Sequence, residues 1–324
     1  MRAGSHDDEA GGDGMAASRV TSADAKRSWL RWLVVAVPLA WMVIFFLIPF
    51  FNVLKISFST RARAMPPYKP VLSMVDGLAG IVDKLQQFTT ANYLMLVGDS
   101  KYWQSYVSSV TIALISTVLI LLVAYPIAYG MARSPRRWRT TLVMLVILPF
   151  WTSFLIRVYA WMGILSDEGL LNQMLMHLGL IDQPLRILTT NWAVYIGIVY
   201  SYLPFMILPL YATLEKLDET LLEAAEDLGC PPTKAFWTIT FPLSLPGLVA
   251  GCFLVFIPIT GEFVIPDLLG GSGTMMIGKT LWYEFFNNRN WPLASAVAVV
   301  LLLILVVPIV FFQDQQQKQA ERAR

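Results

Sequence analysis

Glu223-Ala224-Ala225-Glu226-Asp227-Leu228-Gly229 forms a charged island between two long apolar segments, and Ile239-Thr240-Phe241-Pro242 follows it after nine residues. Gly229 suits the left-handed conformation that ends many helices. Pro231 and Pro232 then suit the first turn of a new helix. The stretch therefore predicts a helix, a turn and a second helix that lie outside the two apolar segments.

The first of these helices is predicted to be amphipathic. Thr220 with Glu223 matches a capping box, which indicates a cap at this point. The polar face carries only acidic charges, which anionic lipid would repel, so docking on another protein is favoured over lying on a membrane surface. The apolar face is formed by residues that recur at spacings of three and four, namely Leu214, Leu217, Leu221, Ala225 and Leu228.

The composition indicates an integral membrane protein. Of 324 residues, 56% are hydrophobic and 14% are charged, and the mean hydropathy is +0.59. The net charge of +2 is too small to favour a nucleic acid as partner. The two cysteines, Cys230 and Cys252, fall in different surroundings, and His6 and His177 lie in a polar tail and a loop. We therefore expect no disulfide and no metal site.

Six apolar runs are each long enough to cross a hydrocarbon core of about 30 Å. Helices are the expected form, because every backbone group must be paired in lipid. The sequence thus predicts an all-α integral membrane fold with six transmembrane helices and the lipid bilayer as surroundings. The runs cover residues 32 to 54, 106 to 132, 140 to 165, 191 to 214, 243 to 265 and 292 to 312.

The orientation follows from the positive-inside rule. Four arginines crowd the link at residues 133 to 139, and three basic residues precede the first run. This places both termini and the loop at residues 215 to 242 in the cytoplasm. The links at residues 59 to 105, 166 to 190 and 266 to 291 then lie outside. The bias is moderate, since the first outer link is also basic, with Arg61, Arg63, Lys69, Lys84 and Lys101.

The domain organisation follows from these runs. Residues 1 to 28 are rich in Gly, Ala, Ser and Asp without periodicity, which is typical of a disordered cytoplasmic tail. Residues 29 to 313 are predicted to form one transmembrane domain, and residues 314 to 324 a second cytoplasmic tail.

Glu223, Ala224, Ala225 and Gly229 at these spacings resemble the EAA loop by which permease subunits of ATP-binding-cassette importers grip their ATPase. From about residue 30 onward, the chain resembles the polyamine-importer permeases, and among them the putrescine type most. The supporting blocks are ARAMPPY (62 to 68), ILPFWTSFLIRVYAWMGIL (147 to 165), AVYIGIVYSYLPFMILPLY (193 to 211), GEFVIPDLLGG (261 to 271) and EFFNNRNWPLASAVA (284 to 298). Phe241 departs from the general loop pattern, which more often has Leu there.

The resemblance implies a type I importer fold in a bacterial inner membrane. Such a permease pairs with a second permease, homologous or identical, above a dimer of ATP-binding subunits, and a periplasmic polyamine-binding protein delivers the cargo. ATP and Mg would bind the partner ATPase, since we expect no phosphate-binding loop of the form GxxxxGK[ST] in this chain. No cofactor would bind this chain. The ATPase-coupling residues would be Glu223, Ala224, Ala225, Gly229 and Pro242.

Glu262 is the sharpest candidate for the substrate pathway, because an ionised group in lipid should face a cavity or a partner. An ion pair with Arg157 is the alternative. Carboxylates and aromatic faces suit a diamine, the latter by cation–π attraction. For the aromatic residues interfacial anchoring is the default explanation, and for the outer acidic residues a solvated loop charge is. The other pathway candidates are Trp151, Tyr159, Trp161, Asp267 and Trp282. Asp167, Glu168 and Glu284 could steer a dication inward.

Two other function classes fit less well. An ion-coupled secondary transporter needs carboxylates or broken helices near mid-membrane, and the centres of these runs are almost free of charge. A membrane enzyme needs a nucleophile and base, or metal ligands, at one depth. His, Cys and buried carboxylates are too scarce for that, so we expect no catalytic residues here. Spermidine or another small solute remains an alternative cargo to putrescine.

Overall fold

The structure is a computed structural model that describes residues 34 to 71 and 82 to 322. The tail predicted at residues 1 to 28 lies outside the described residues. The described chain is almost wholly helical, which confirms the predicted fold class. Its strands β1 (Thr60–Arg61) and β2 (Tyr68–Lys69) form one antiparallel hairpin with Thr60 opposite Lys69.

The main helices are, in chain order, α1 (Val34–Ser57), α2 (Ala91–Gly98), α3 (Ser100–Arg133), α4 (Arg136–Ile147), α5 (Phe154–Leu165), α6 (Leu170–His177), α7 (Asn191–Leu214), α8 (Thr220–Asp227), α9 (Pro232–Thr260), α10 (Val264–Leu268), α11 (Ile277–Trp282) and α12 (Trp291–Arg322). A 3-10 turn at Leu148–Trp151 extends α4. Stretches of π-helix occur at Val43–Leu47 in α1, at Phe236–Thr240 in α9 and at Tyr283–Asn287 after α11.

Four helices of the described chain, α1, α3, α7 and α9, are long and apolar enough to cross a membrane. Arg136–Trp151 and Phe154–His177 add a fifth span if this pair, bent by 87°, is counted as one. A shorter apolar helix covers Trp291–Val307 in α12. This arrangement is compatible with six spans, and the number six stays a prediction.

The third predicted span is not the single straight helix that residues 140 to 165 suggested. Pro149 lies in the 3-10 turn at the end of α4, and Thr152 has an extended backbone. Proline removes a backbone donor and ends a helix in this way. The polypeptide restarts at Phe154 in a new direction.

The chain divides into two units, Met1–Ile56 and Ser57–Arg324. In the first unit, the described residues form most of α1, and none of the residues in its most apolar stretch is buried. An apolar helix with no buried face is typical of a segment that faces lipid or a partner chain.

The core of the second unit is a packed set of α3, α7 and α9. Small residues let these helices approach closely. A Cβ atom at Gly251 of α9 would lie 2.6 Å from Sδ of Met206 in α7, and one at Gly247 would lie 2.7 Å from the carbonyl oxygen of Pro209. Such close backbone contacts are the usual way in which membrane helices gain van der Waals attraction.

The second unit has two distinct ends, the α8 end and the hairpin end. At the α8 end, Arg139 of α4 pairs with Glu215 after α7 at 3.6 Å. At the hairpin end, the β1–β2 hairpin meets the turn before α12, and Lys101 at the start of α3 lies 3.9 Å from Glu284. The helices α3, α7 and α9 connect these two ends.

Candidate functional site

The helix α8 carries the predicted coupling residues, and it begins differently from the prediction. The carboxylate of Asp218 accepts a hydrogen bond from the Thr220 backbone N–H at 3.0 Å. Thr220 is the first residue of the helix and not its cap. The N-cap position is occupied by Glu219, whose side chain makes no capping hydrogen bond. The predicted capping box is therefore wrong, because Thr220 lies one residue inside the helix.

The end of α8 confirms the predicted turn. Gly229 has φ of +74°, in the left-handed region. The Gly229 N–H donates to the Glu226 carbonyl at 2.8 Å, and the Cys230 N–H donates to the Ala225 carbonyl at 2.9 Å. These bonds satisfy carbonyls that a helix end leaves free. Pro232 is the first residue of α9, as the prolines indicated, and Pro231 precedes it.

The apolar stripe predicted from Leu214 to Leu228 is wrong as one continuous helix face. Leu214 ends α7 and is buried, and residues 215 to 219 separate it from α8. Leu221 and Leu228 are 46% and 89% exposed. Nearly all of the Leu228 side chain and about half of Leu221 are therefore left uncovered by this chain, which is typical of a binding surface for another molecule.

The second helix of the predicted loop is continuous with the fifth predicted span. The helix α9 begins at Pro232 and ends at Thr260, whereas the sequence suggested a span from residue 243 to residue 265. Pro242 lies within α9, two residues after the π-helical stretch Phe236–Thr240. A π-helical turn has a different hydrogen-bond pattern from the α-helix, which explains why a proline follows it without breaking the helix.

The start of α9 packs on α3. The ring of Phe236 lies 5.6 Å from Tyr125 and 5.8 Å from Tyr129, edge to face in both contacts. The Tyr125 hydroxyl also lies 2.9 Å from Oγ of Ser244. These contacts join the start of α9 directly to α3.

Glu262, the sharpest pathway candidate, lies in the break between α9 and α10 and is 8% exposed. Its Oε1 accepts hydrogen bonds from the N–H groups of Phe263 and Val264 at 3.1 and 2.9 Å, and a longer one from Ile265 at 3.4 Å. Its Oε2 accepts a hydrogen bond from the Tyr202 hydroxyl at 2.5 Å. The carboxylate therefore holds the start of α10 and ties it to α7.

Glu262 and Arg157 are both described by the structure, and they do not form the alternative ion pair. Arg157 is also 8% exposed, but its guanidinium lies over the rings of Phe150 and Phe154, at 5.1 and 5.8 Å from their centres. Its Nε has no hydrogen-bond partner in the described structure. Cation–π attraction to these two rings provides part of the stabilisation that a carboxylate would otherwise give to the guanidinium charge.

Asp267 and Trp282 also have partners within the chain. Asp267 lies 3.3 Å from Nζ of Lys279, so its charge is partly neutralised. The Trp282 ring stacks on Phe263 at 4.5 Å with 11° between the planes, and it contacts Phe286 at 4.1 Å. Glu284, predicted to steer cations, is buried and accepts from the Tyr102 hydroxyl at 2.9 Å.

The three aromatic candidates of the bent pair differ in exposure. Trp151 is 83% exposed and Tyr159 is 56% exposed. Trp161 is half-buried and meets Tyr200 of α7 edge to face at 5.4 Å. Trp151 and Tyr159 thus offer free ring faces, whereas part of the Trp161 ring is already covered.

The expectation that this chain lacks a GxxxxGK[ST] phosphate-binding loop is wrong for the sequence, because Gly273 to Thr280 matches this pattern. That loop must follow a strand, and residues 264 to 268 before it form α10 instead. The Ile277 N–H donates to Oγ of Ser109 at 2.7 Å. A Cβ atom at Gly278 would lie 2.6 Å from the Glu262 carbonyl oxygen. The stretch is thus packed against the protein and does not form a phosphate cradle.

The partners that neutralise or hydrogen-bond the acidic residues were not predicted from the sequence. Neither Tyr202, which donates to Glu262, nor Lys279, which pairs with Asp267, is among the predicted site residues. The nearest available signal is the tyrosine itself, because a phenolic O–H inside a membrane helix needs an acceptor. In the described residues, no group of three or more His, Cys, Asp or Glu side chains is placed to hold a metal ion.

Comparison with known proteins gives the family. Residues 124 to 318 match the model of the family described as "Binding-protein-dependent transport system inner membrane component". The spermidine/putrescine transport system permease protein PotB of Haemophilus influenzae is 41% identical over 267 residues, which are 82% of this chain and 87% of that protein. PotB of Escherichia coli K12 is 41% identical over 259 residues, which are 80% and 88% of the two chains.

A solved structure supports the fold independently. A chain in the crystal structure of a bacterial ABC transporter involved in the import of the acidic polysaccharide alginate superposes with a TM-score of 0.66. It covers 92% of this chain and 98% of its own length at 16% identity, so it supports the fold alone. These findings confirm the resemblance to polyamine-importer permeases. The chain belongs to the family of binding-protein-dependent transport system inner membrane components and has the fold of an ABC importer permease.

Proposed function

We propose that this chain is the permease subunit of an ATP-driven importer that moves a polyamine, with putrescine favoured, from the periplasm to the cytoplasm. The observation that carries the proposal is the exposed helix α8, whose acidic face and unburied leucines offer a docking surface for a separate ATP-binding subunit. The similarity to permeases named for spermidine and putrescine supports the class of cargo.

Each coupling residue has a role in this proposal. Ala224 is exposed and Ala225 half-buried, and their small size lets α8 enter a cleft on the ATPase. Glu223 is exposed and offers a charge-assisted hydrogen bond. Gly229 sets the turn into α9, and Pro242 lies where α9 leaves its π-helical stretch. Movement of the ATPase would then reach α3 through the rings around Phe236.

The proposed location is a bacterial inner membrane, crossed several times, with both termini in the cytoplasm. The arginine-rich link at residues 133 to 139 supports this orientation, because basic residues concentrate on the cytoplasmic side. The α8 end of the second unit then faces the cytoplasm and the hairpin end faces the periplasm. Residues 29 to 313 would form the membrane domain between two cytoplasmic tails.

The proposed pathway follows exposed aromatic rings, with Glu262 as a positioning residue. Trp151 and Tyr159 present free faces to a diamine, and Trp161 a partly covered one. Glu262 fixes the break between α9 and α10 beside the Trp282 stack, and a direct contact with cargo would require release of Tyr202. Asp267 would contribute a weak attraction because Lys279 screens it.

The partners required are a second permease, homologous or identical, a dimer of ATP-binding subunits and a periplasmic polyamine-binding protein. We propose that ATP and Mg bind the ATP-binding subunits, and that this chain performs no catalysis and binds no cofactor. The unburied apolar surface of α1 supports contact with lipid or with another chain.

Uptake of labelled putrescine into ATP-loaded proteoliposomes that contain the whole complex tests the proposal. We expect uptake that requires ATP and the binding protein and that unlabelled putrescine suppresses. Suppression at much lower concentrations of spermidine would make spermidine the preferred cargo, a candidate that the name of the relatives also includes. Uptake without ATP that follows an ion gradient would contradict the proposal.

A further inference from the structure

The hairpin β1–β2 and the turn before α12 enclose a basic cavity at the hairpin end. Its volume is about 400 Å³. Three arginines line it, namely Arg61 and Arg63 from the hairpin and Arg289 from the turn. All three are exposed. We call this site the arginine cavity.

The walls of the arginine cavity are held together by contacts within the chain. The Arg61 guanidinium donates a hydrogen bond from Nη2 to the carbonyl oxygen of Asn288, which joins the hairpin to the turn. The Tyr68 ring lies 6.4 Å from Trp291, and Trp291 stacks on Phe285 at 4.9 Å with 6° between the planes. The arginines therefore project from a fixed platform, which lowers the entropy cost of binding a partner.

The charge of the arginine cavity is not compensated by the described part of the chain. None of its three arginines forms an ion pair with a described carboxylate, whereas Lys101 pairs with Glu284 and Lys279 with Asp267 at the same end. The planar guanidinium forks match carboxylate or phosphate in two parallel hydrogen bonds. The cavity is thus suited to an anionic group from outside the chain.

Two simpler explanations of these arginines fail. A polyamine is itself a cation, so the cargo would be repelled from the cavity. The positive-inside rule places basic residues in the cytoplasm, yet in the proposed orientation this cavity faces the periplasm. The three arginines therefore require a different explanation, and binding of an anionic partner provides it.

We propose that the arginine cavity receives carboxylates on the surface of the soluble protein that delivers the cargo. This proposal rests on the proposed function, since it requires a delivery protein that docks at the hairpin end. A soluble protein that holds a dication needs carboxylates about its cleft, so its docking face and the arginines are complementary in charge. Opposite charges across such an interface raise the association rate and fix the orientation of the complex.

The test uses the complete transporter in nanodiscs of neutral phosphatidylcholine, with ATP hydrolysis measured against the concentration of putrescine-loaded polyamine-binding protein. For Arg63→Glu and Arg289→Glu, we expect the half-saturating concentration to rise about tenfold. The maximal and basal rates should be retained. Lys69→Glu makes the same charge change in β2 outside the cavity and should shift half-saturation less than about twofold. The milder Arg63→Gln should give an intermediate shift.

The outcomes separate this proposal from the proposed function. Equal half-saturation for Arg63→Glu and Lys69→Glu would overturn the arginine cavity as a docking site while leaving the importer intact. An effect of Arg63→Glu that appears only when phosphatidylglycerol is added would assign the cavity to a lipid phosphate and overturn the proposal. If the binding protein does not stimulate ATP hydrolysis by the unmodified complex at all, the proposed function and the docking site are both contradicted. If replacing an acidic residue of the binding protein by Lys restores its affinity for the Arg63→Glu transporter, the proposal is supported directly.

Discussion

The α8 end and the hairpin end of the second unit differ in how they use the acidic side chains that the sequence singled out. At the α8 end, Glu223 is exposed and Leu228 is 89% exposed. At the hairpin end, Glu262 and Glu284 are buried and accept hydrogen bonds from tyrosine hydroxyls and other donors of the same chain. The first end leaves its groups available to a partner, whereas the second uses its carboxylates internally.

This difference shows how to interpret acidic residues in a membrane protein. A buried carboxylate with four protein donors stabilises the fold, because leaving those donors unpaired would be costly. An exposed acidic face with unburied leucines beside it indicates an interface. The acidic residues of the hairpin end therefore support a cation-binding site less strongly than the sequence alone suggests.

The largest effect is expected for Gly229→Asp at the α8 end. Gly229 has φ of +74°, and a side chain there costs about 1 to 2 kcal/mol. The new carboxylate also falls on the proposed docking surface, so we expect ATP-dependent putrescine uptake to fall at least about tenfold. The protein should still reach the membrane at a normal level, as measured by immunoblot of membrane fractions.

The matched control is Gly179→Asp in the loop between α6 and α7. Gly179 has φ of +66° and open space around it, so the substitution introduces the same backbone strain away from α8. We expect uptake close to that of the unmodified protein. Equal losses in both variants would mean that backbone strain, and not docking, explains the result.

Glu262→Gln should have the next largest effect, on stability as well as uptake. The amide has one acceptor oxygen where the carboxylate serves four donors, so we expect a loss of about 3 kcal/mol. The measurement is the unfolding midpoint of the purified protein in detergent. Tyr202→Phe removes one donor and should cost about 1 to 2 kcal/mol.

The double variant Glu262→Gln/Tyr202→Phe should cost less than the sum of the two single changes, because the residues share one hydrogen bond. Strict additivity would show that the bond contributes nothing. Unchanged uptake affinity and rate in Glu262→Gln would remove Glu262 from the pathway, in either a binding or a positioning role.

A comparison of two tryptophans separates structural from pathway aromatics. Trp282→Ala loses stacking on Phe263 and Phe286 and should destabilise the protein by about 2 kcal/mol. Trp151 is 83% exposed, so Trp151→Ala should change stability by less than about 0.5 kcal/mol. If Trp151 binds cargo, its loss should raise the KM for putrescine without lowering the unfolding midpoint. A lower midpoint with unchanged KM would exclude the pathway role.

The smallest effect is expected for Asp267→Asn. The side chain of Asp267 is 46% exposed and that of Lys279 is 21% exposed, and solvent screens such a pair. We expect a stability loss of about 0.5 kcal/mol and an uptake affinity within about twofold of normal. Asp167→Asn, in an exposed position, is the control for loss of one negative charge. A large loss of affinity in Asp267→Asn alone would make this residue a cargo contact.

Local features could be predicted from the sequence, and long-range contacts could not. The turn at Gly229 and the start of α9 at Pro232 depend on the backbone preferences of those residues, so neighbouring sequence was sufficient. The start of α8 was predicted one residue too late, at Thr220 as the cap, because the adjacent polar residues Asp218, Glu219 and Thr220 differ little in sequence signal. The Glu262 to Tyr202 bond joins residues 60 positions apart and depends on how α7 and α9 pack.

The most direct test of the central claim is photo-crosslinking from α8 in the assembled complex. Leu228→benzoylphenylalanine places a photoreactive ring at a position that is 89% exposed, and the same change at Val97 of α2, which is 86% exposed, provides the control. We predict that position 228 crosslinks to the ATP-binding subunit and that position 97 does not. Crosslinking of position 228 to lipid alone, in a complex that transports putrescine normally, would contradict the account.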